Sequence, residues 1–329
     1  MKLAEFDYNL PKELIAQYPL KERESARLLV LKRKSGEIEH RIFKDILDYI
    51  KPPDLLVLND SKVSPCRLFG RRPSGGKVEV MLLKRKEGLT FEAMLSPGRV
   101  KLNEEIIFNN GGLLARLTSR NELTFEAKGV EDIYSHGVMP LPPYIKRPVE
   151  ELDKTYYQTV YAQYDGSVAS PTAGLHFTPQ LLEKLKSCGV GLAYVTLHVG
   201  LGTFKPVKVE DITQHKMEKE YFSISDKVSL LIEQARSKEE RIIATGTTSC
   251  RVLEAYASGM REGETDLFIY PGYKFKMVDS LLTNFHLPKS TLYMLTLAFA
   301  GEALIKKAYQ EAIDNKYRFY SYGDCMLIL

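Results

Sequence analysis

Leu55-Leu56-Val57-Leu58-Asn59-Asp60-Ser61-Lys62 decides the fold class. Four consecutive apolar residues that stop at a polar run describe a strand buried on both faces. Such strands lie inside parallel sheets covered by helices, and their carboxyl ends open onto ligand space. Before this strand the sequence predicts a short Pro-started helix from Pro11 to Gln17, a hairpin turning at Ser35-Gly36, and a helix from Phe43 to Ile50. After it the texture changes at Pro65. Short alternating runs follow at Lys77 to Lys86, Leu89 to Leu95, Glu104 to Phe108, Leu113 to Thr118 and Glu122 to Lys128, separated by Gly and Asn turns. That spacing, about ten residues, belongs to a small all-β unit. Beyond Met139-Pro140-Leu141-Pro142-Pro143 helices and strands alternate again. A helix is capped by Thr178 with Pro179 first and Gly189 past its end. Then come a strand Leu192 to Val199, a helix Asp226 to Lys238, a strand Arg241 to Thr245, a helix from about Ser249, a strand Asp266 to Tyr270 and a long helix Thr291 to Asp314. The expected architecture is α/β. Both chain ends, residues 1–64 and 131–329, form one large α/β domain, and residues 65–130 form an inserted small all-β, barrel-like domain.

Composition agrees with this and narrows the class. The chain has 329 residues, 44% hydrophobic and 27% charged, enough for two folded cores and unlike a disordered chain. A net charge of +4 permits an anionic partner without requiring one. Cys66, Cys188, Cys250 and Cys325 are too widely spaced for a zinc site or a small disulfide framework, which predicts a reducing, cytoplasmic setting. Glu5 and Asp7 in the first ten residues argue against a signal peptide. The most apolar stretch, Thr291 to Ala300, is about half of the roughly 20 residues needed to span a bilayer, so no membrane association is expected and it reads as a buried helix.

Several familiar motifs fail. Gly200-Leu201-Gly202 follows a strand, but Lys205 and Pro206 stand where a dinucleotide-binding helix should begin. Gly70 to Lys77 lacks the glycine spacing and the Ser or Thr of a phosphate-binding loop. No serine-hydrolase elbow or zinc-protease signature appears. What remains is a set of polar residues just past apolar strands. Asn59, Asp60 and Lys62 end the first strand. Alternation puts Ala193, Val195, Leu197 and Val199 on one face of the next, with Tyr194, Thr196 and His198 on the other, ahead of Gly200, Gly202 and Thr203. Gly246-Thr247-Thr248-Ser249 forms a hydroxyl-rich loop before a helix, with Arg251 nearby, where backbone N–H groups suit a carboxylate or phosphate. Taken singly, that stretch also reads as a plain helix cap with an exposed Arg. His176 and His286 sit in Gly- or Pro-punctuated loops, and with His198 they suggest a shared site, although a lone His beside apolar neighbours is commonly structural. Tyr157, Tyr161 and Tyr164 at helical spacing read either as a core stripe or, with Tyr156, Lys146 and Arg147, as an RNA-stacking surface.

Together the loops resemble one family, the S-adenosylmethionine:tRNA ribosyltransferase-isomerases of queuosine biosynthesis. The matching stretches are Leu-Pro-x-x-Leu-Ile-Ala-Gln at 10–17, Leu-Val-Leu-Asn-Asp-Ser-Lys-Val at 56–63 and Tyr-Gln-Thr-Val-Tyr-Ala at 157–162. Further on come Pro-Thr-Ala-Gly-Leu-His-Phe-Thr at 171–178, Val-Thr-Leu-His-Val-Gly-Leu-Gly-Thr-Phe at 195–204 and Gly-Thr-Thr-Ser at 246–249. Thr-Asn-Phe-His-Leu-Pro-Lys-Ser-Thr at 283–291 and Tyr-Arg-Phe-Tyr-Ser-Tyr-Gly-Asp at 317–324 complete the set. Ser61, Lys62, Cys66, Cys325 and Glu218 depart from the usual residues.

The resemblance implies transfer and isomerisation of the ribosyl part of S-adenosylmethionine onto the aminomethyl group of a 7-deazaguanine in a tRNA anticodon, with adenine and methionine released. The partners are then S-adenosylmethionine and the tRNA anticodon arm. No cofactor and no metal is expected, because S-adenosylmethionine is consumed as a substrate and its sulfonium is already a good leaving group. The chemistry needs a base for the proton beside the sulfonium, an acid for departing adenine and an un-ionised amine. His176, His198 and His286 are the candidate acids and bases, and Asp60 would hold the methionine ammonium or orient a histidine. Substrate contacts are expected from Asn59, Lys62, Arg67, Thr172, Gly200, Gly202, Thr203, Gly246, Thr247, Thr248, Ser249, Arg251, Asn284 and Asp324. Arg71, Arg72, Lys146 and Arg147 are expected to meet RNA phosphates. Two rivals stay open at this point: an RNA methyltransferase using the same donor, and a non-catalytic RNA-binding protein.

Overall fold

The computed structural model describes residues 1–200, 202 and 207–329. The chain starts with the hairpin β1 (Arg27–Lys32) and β2 (Glu37–Ile42), then β3 (Leu55–Asn59) and the short β4 (Ser61–Val63). Six strands follow: β5 (Arg67–Arg71), β6 (Lys77–Arg85), β7 (Thr90–Ser96), β8 (Glu105–Phe108), β9 (Leu113–Ser119) and β10 (Glu122–Glu126). Helices α1 (Val130–Ser135) and α2 (Glu151–Tyr156) and strand β11 (Tyr164–Ser167) lead back. The remainder runs α3 (Pro179–Ser187), β12 (Gly191–Leu197), β13 (Glu220–Ser223), α4 (Asp226–Ser237), β14 (Ile242–Thr245), α5 (Gly246–Tyr256) and β15 (Glu262–Thr265). It ends with β16 (Ser280–Asn284), α6 (Thr291–Ala300), α7 (Glu302–Asp314) and β17 (Cys325–Ile328).

Nine strands make one mixed sheet in the order β15-β13-β12-β3-β14-β16-β17-β1-β2. β12, β3, β14 and β16 are parallel, so their carboxyl ends share one edge. The apolar run in β3 works as its composition demands. Leu55 and Val57 enter a core shared with α4, α5 and α6, whereas Leu56 and Leu58 enter the opposite core with α3 and Phe43. Burying both faces leaves no room for polar alternation, which therefore resumes only at Asn59.

The other six strands form a separate antiparallel unit in the order β10-β7-β6-β5-β8-β9, and β9 pairs back to β10. Each strand thus has two neighbours and no edge is left open. Leu68, Val80, Phe91, Ile106, Phe108 and Leu123 fill its interior.

Several local expectations need correction. Only Lys12–Leu14 of the first expected helix forms a turn, because the backbone at Leu14 and Ala16 hydrogen-bonds instead to Phe319. Phe43–Asp48 is a 3-10 helix rather than a longer α-helix. The long C-terminal helix is two helices broken at Gly301, where φ is +88°. The expected strand at 266–270 lies earlier, at Glu262–Thr265, since the Leu267 N–H turns back to the Thr265 hydroxyl. No helix carries Tyr157, Tyr161 and Tyr164: α2 stops at Tyr156, Tyr157 is buried and Tyr164 is exposed at the start of β11. Among the described residues no helix is long and apolar enough to cross a membrane.

Candidate functional site

The loops beyond β12, β14 and β16 frame a cavity of ≈ 80 Å³ whose walls include Thr172, Gly246, Thr247, Thr248, Asn284 and His286. Helix α5 begins at Gly246, not at Ser249, so the hydroxyl-rich stretch is its first turn rather than a loop before it. Gly246 adopts φ +83°, a left-handed turn that β-carbon sterics disfavour, and this tight start aims the turn at the cavity. The cap residue Thr245 makes no side-chain cap bond, and the N–H groups of Thr247 and Thr248 have no hydrogen-bond partner among the described residues. Two hydroxyls on the wall, Ser170 Oγ and Thr248 Oγ1, are buried without a hydrogen-bond partner among the described residues. Free helical N–H groups beside orphaned hydroxyls form a receptor for a polar or anionic ligand.

His286 lines this cavity but is tightly held. Its Nε2 is 2.7 Å from Thr283 Oγ1, its backbone N–H donates to the Tyr309 hydroxyl at 3.0 Å, and its carbonyl accepts from Tyr8. Burial pushes the ring's pKa down to about 3. Thr172 donates to Asn284 Oδ1 at 2.7 Å, and Asn284 Nδ2 lies 3.3 Å from His176 Nε2. His176 stands behind that amide, in a second cavity of ≈ 30 Å³ with Arg23. Its ring packs on Phe43 at 5.1 Å, and burial, helped by the Arg23 charge, lowers its pKa to about 4.

His198 faces elsewhere. Strand alternation sends Val199 to the first cavity and His198 to a cleft of ≈ 840 Å³ between the two sheets, with Lys62, Arg85, Tyr134, Asp165 and Tyr221. The ring stacks on Tyr221 at 6.0 Å, and its Nδ1 has no partner among the described residues. Gly166, at φ +130°, lets the backbone approach the ring where a β-carbon would sit 3.3 Å away. Burial lowers the His198 pKa, while the Asp165 carboxylate opposes the shift. The expectation of one site shared by three histidines is therefore corrected: each lines a different cavity.

Other expected site residues divide in the same way. Asp60 is buried, its carboxyl pushed up by desolvation, and it accepts from Thr196 at 2.7 Å rather than from a histidine. Asn59 ties β3 to β12 through the Leu197 N–H and carbonyl, and Asp324 accepts the Arg27 and Arg318 N–H groups. Both act as internal braces instead of facing ligand. Arg251 is sequestered too: the residue is 4% exposed, and its guanidinium pairs with Glu220 and donates to the Leu267 carbonyl. Glu220 in turn accepts the Gly200 N–H at 2.8 Å, so this carboxylate links Arg251 to the end of the strand. Ser249 is buried and does not line the cavity. Gly202 lies against Glu218, and Thr203 lies outside the described residues.

Lys62 pairs with Asp165 at 3.3 Å in the cleft, and Arg67 pairs with Glu79 across β5 and β6. Of the expected phosphate contacts, Arg71 and Lys146 are exposed, but Arg72 grips Glu104 through two bonds of 2.6 and 3.0 Å. Arg147 grips buried Asp153 at 2.7 and 2.8 Å, a structural pair in place of an RNA contact. Arg23, Ser170 and Glu220 escaped the sequence reading. Arg23 sits in the charged run Lys21-Glu22-Arg23-Glu24, whose pattern signals a solvated turn.

A family model described as queuosine biosynthesis protein matches residues 3–328. The chain is 53% identical over 336 residues to an S-adenosylmethionine:tRNA ribosyltransferase-isomerase from Sulfurihydrogenibium sp., covering all of both chains. It is likewise 53% identical over 344 residues to the protein of that name from Halothermothrix orenii, again covering all of both. A crystal structure of an S-adenosylmethionine tRNA ribosyltransferase from Thermotoga maritima is similar at 39% identity and a TM-score of 0.58, over 99% of this chain and 100% of that one.

Proposed function

The chain belongs to the family of queuosine biosynthesis proteins, and from that premise we infer that it is an S-adenosylmethionine:tRNA ribosyltransferase-isomerase. It moves the ribosyl group of S-adenosylmethionine onto the 7-aminomethyl-7-deazaguanine of the tRNA anticodon, rearranges it to epoxyqueuosine, and releases adenine and methionine. The observation that carries the reading is the convergence of the family-like stretches at 171–178, 246–249 and 283–291 on one cavity with unsatisfied polar groups. The methyltransferase and non-catalytic readings are not favoured.

In this reading the first turn of α5, with Thr248 and Ser170, takes the methionine carboxylate, and Thr172 and Asn284 contact the rest of the donor. His198 handles the proton in the adjoining cleft, where the RNA base enters. The ribosyl carbon beside the sulfonium loses a proton, the amine nitrogen bonds to the ribosyl unit, adenine leaves with a proton, and methionine leaves with the sulfur electron pair. No separate cofactor is called for. Residues 65–130 act as an inserted domain, and the setting is cytoplasmic.

The test is incubation with S-adenosylmethionine and RNA bearing the aminomethyl deazaguanine, with products separated chromatographically. Adenine, methionine and a modified RNA are expected. Formation of S-adenosylhomocysteine would replace this reading with methyl transfer.

A further inference from the structure

The positive charge of the chain is not spread over it. Residues 65–130 hold twelve Lys and Arg against seven Asp and Glu, and the remainder holds 34 against 35, so the six-stranded unit carries the whole excess. On one face of that unit β5 alternates Leu68 and Gly70 inward with Phe69 and Arg71 outward. Phe69 is 55% exposed, unusual for an aromatic ring outside any core. Its cross-strand partner Glu79 is neutralised by Arg67, whose guanidinium stands 5.2 Å from the Phe69 ring centre. Arg71 pairs in register with Lys77, and both are exposed, with no ion pair among the described residues. Asn109, Asn110, Ser96 and Pro97 wall the other side of a groove of ≈ 790 Å³.

We propose that the groove around Phe69, Arg71 and Lys77 is a docking site for unpaired nucleotides of the RNA substrate, with one base lying on Phe69 and its flanking phosphates on Arg71 and Lys77. The proposal rests on the tRNA reading above. A single ring flanked by cations without a carboxylate partner among the described residues, Arg71 donating only to the Gly75 carbonyl at 3.5 Å, suits a splayed nucleotide, because every base offers a π-face to stack and the backbone supplies anions. A protein partner would meet a contiguous apolar centre depleted in charge, which this face lacks. The sequence pointed to Arg71 and Arg72 as a pair. Arg72 is engaged by Glu104, and Lys77 takes its place.

The test measures affinity for a synthetic anticodon stem-loop and for a fully paired duplex of the same length over a range of salt. Phe69→Ala weakens stem-loop binding roughly 5- to 150-fold and leaves the duplex alone, and Phe69→Trp restores it. Arg71→Ala with Lys77→Ala lowers the salt dependence by roughly one to two ion equivalents. Unchanged melting midpoints show that the exposed positions have not disturbed the fold. Wild-type stem-loop affinity in Phe69→Ala, equal losses on stem-loop and duplex, or altered self-association with RNA binding intact would each overturn the proposal. Adenine release by the unaltered protein is scored separately. If it occurs while Phe69→Ala binds normally, the surface fails and the reaction stands. If it is absent while Phe69→Ala binds poorly, the reaction fails and the surface stands.

Discussion

His286 and His198 each follow a strand of the same sheet and run into a loop punctuated by Pro or Gly, yet the fold treats them in opposite ways. His286 is 9% exposed, with Nε2 hydrogen-bonded to Thr283 and its backbone held from both sides by tyrosines. His198 stacks on Tyr221 at the wall of a wide cleft, and its buried Nδ1 has no partner among the described residues. The residue type offers the same imidazole in both places. What differs is the surroundings: a hydroxyl on Nε2 and a small cavity for His286, a stacked tyrosine and a wide cleft for His198. A proton-transfer group needs room for substrate beside its ring, and the wide cleft at His198 offers more of it than the small strand-end cavity at His286. The His286 ring, anchored at Nε2, instead forms part of the wall of the strand-end cavity.

The largest expected effect follows directly. His198→Ala lowers turnover about 100- to 10,000-fold, the range for losing an acid or base, with a normal circular dichroism spectrum and RNA affinity little changed. His286→Ala instead loses stability, since Thr283 is left without its partner in a buried site, a cost of about 1–3 kcal/mol. Near-normal turnover in folded His198→Ala, with chemistry lost in a folded His286 variant, would invert the comparison.

A smaller effect separates the rings by pH. Burial holds His176 at about 4 and His286 at about 3, below the ordinary value of 6.5 that they regain on unfolding. The unfolded chain therefore binds their protons first. Their contribution to stability is full above pH 6.5 and is lost as pH falls from 6.5 toward 4 and 3, at up to roughly 1.4 kcal/mol per pH unit for each. Denaturant midpoints at a series of pH values from about 7 to 5 should fall accordingly, and His286→Gln should remove about half of that slope. A flat profile in the unaltered protein would show that neither ring is sealed.

Which parts of this were legible beforehand follows from how local each signal is. The β3 run and the strand before His198 were readable because burial on both faces and alternation act within a few residues, and the polar helix start after β14 was readable to within three residues, its first turn being taken for a loop. Alternation alone placed Val199 and His198 on opposite sides. Arg251 with Glu220 and Arg72 with Glu104 are 31 and 32 residues apart, and Asp324 meets Arg27 across 297. Such pairings are made by tertiary packing, so an arginine taken up by a carboxylate distant in the chain reads in sequence like one free for phosphate. The histidines failed as a trio for the same reason. Each motif showed a polar strand end, and none showed which cavity that end would line.

The smallest expected effect tests the strand-end cavity itself. Thr248 Oγ1 is buried on its wall with no partner among the described residues, in the first turn of α5. An unsatisfied buried hydroxyl costs desolvation without return, so replacing it with an isosteric apolar group is neutral or slightly stabilising when nothing else needs the oxygen. Thr248→Val should therefore melt at the same temperature or a little higher. If the hydroxyl serves ligand, the same change removes one hydrogen bond of about 0.5–1.5 kcal/mol and raises the dissociation constant for S-adenosylmethionine roughly 2- to 12-fold. Calorimetric titration of both proteins reads this directly. Stability kept and affinity reduced assigns the oxygen to the donor. Stability lost would mean that the fold uses it, and unchanged affinity would move the donor out of this cavity and toward the cleft of His198.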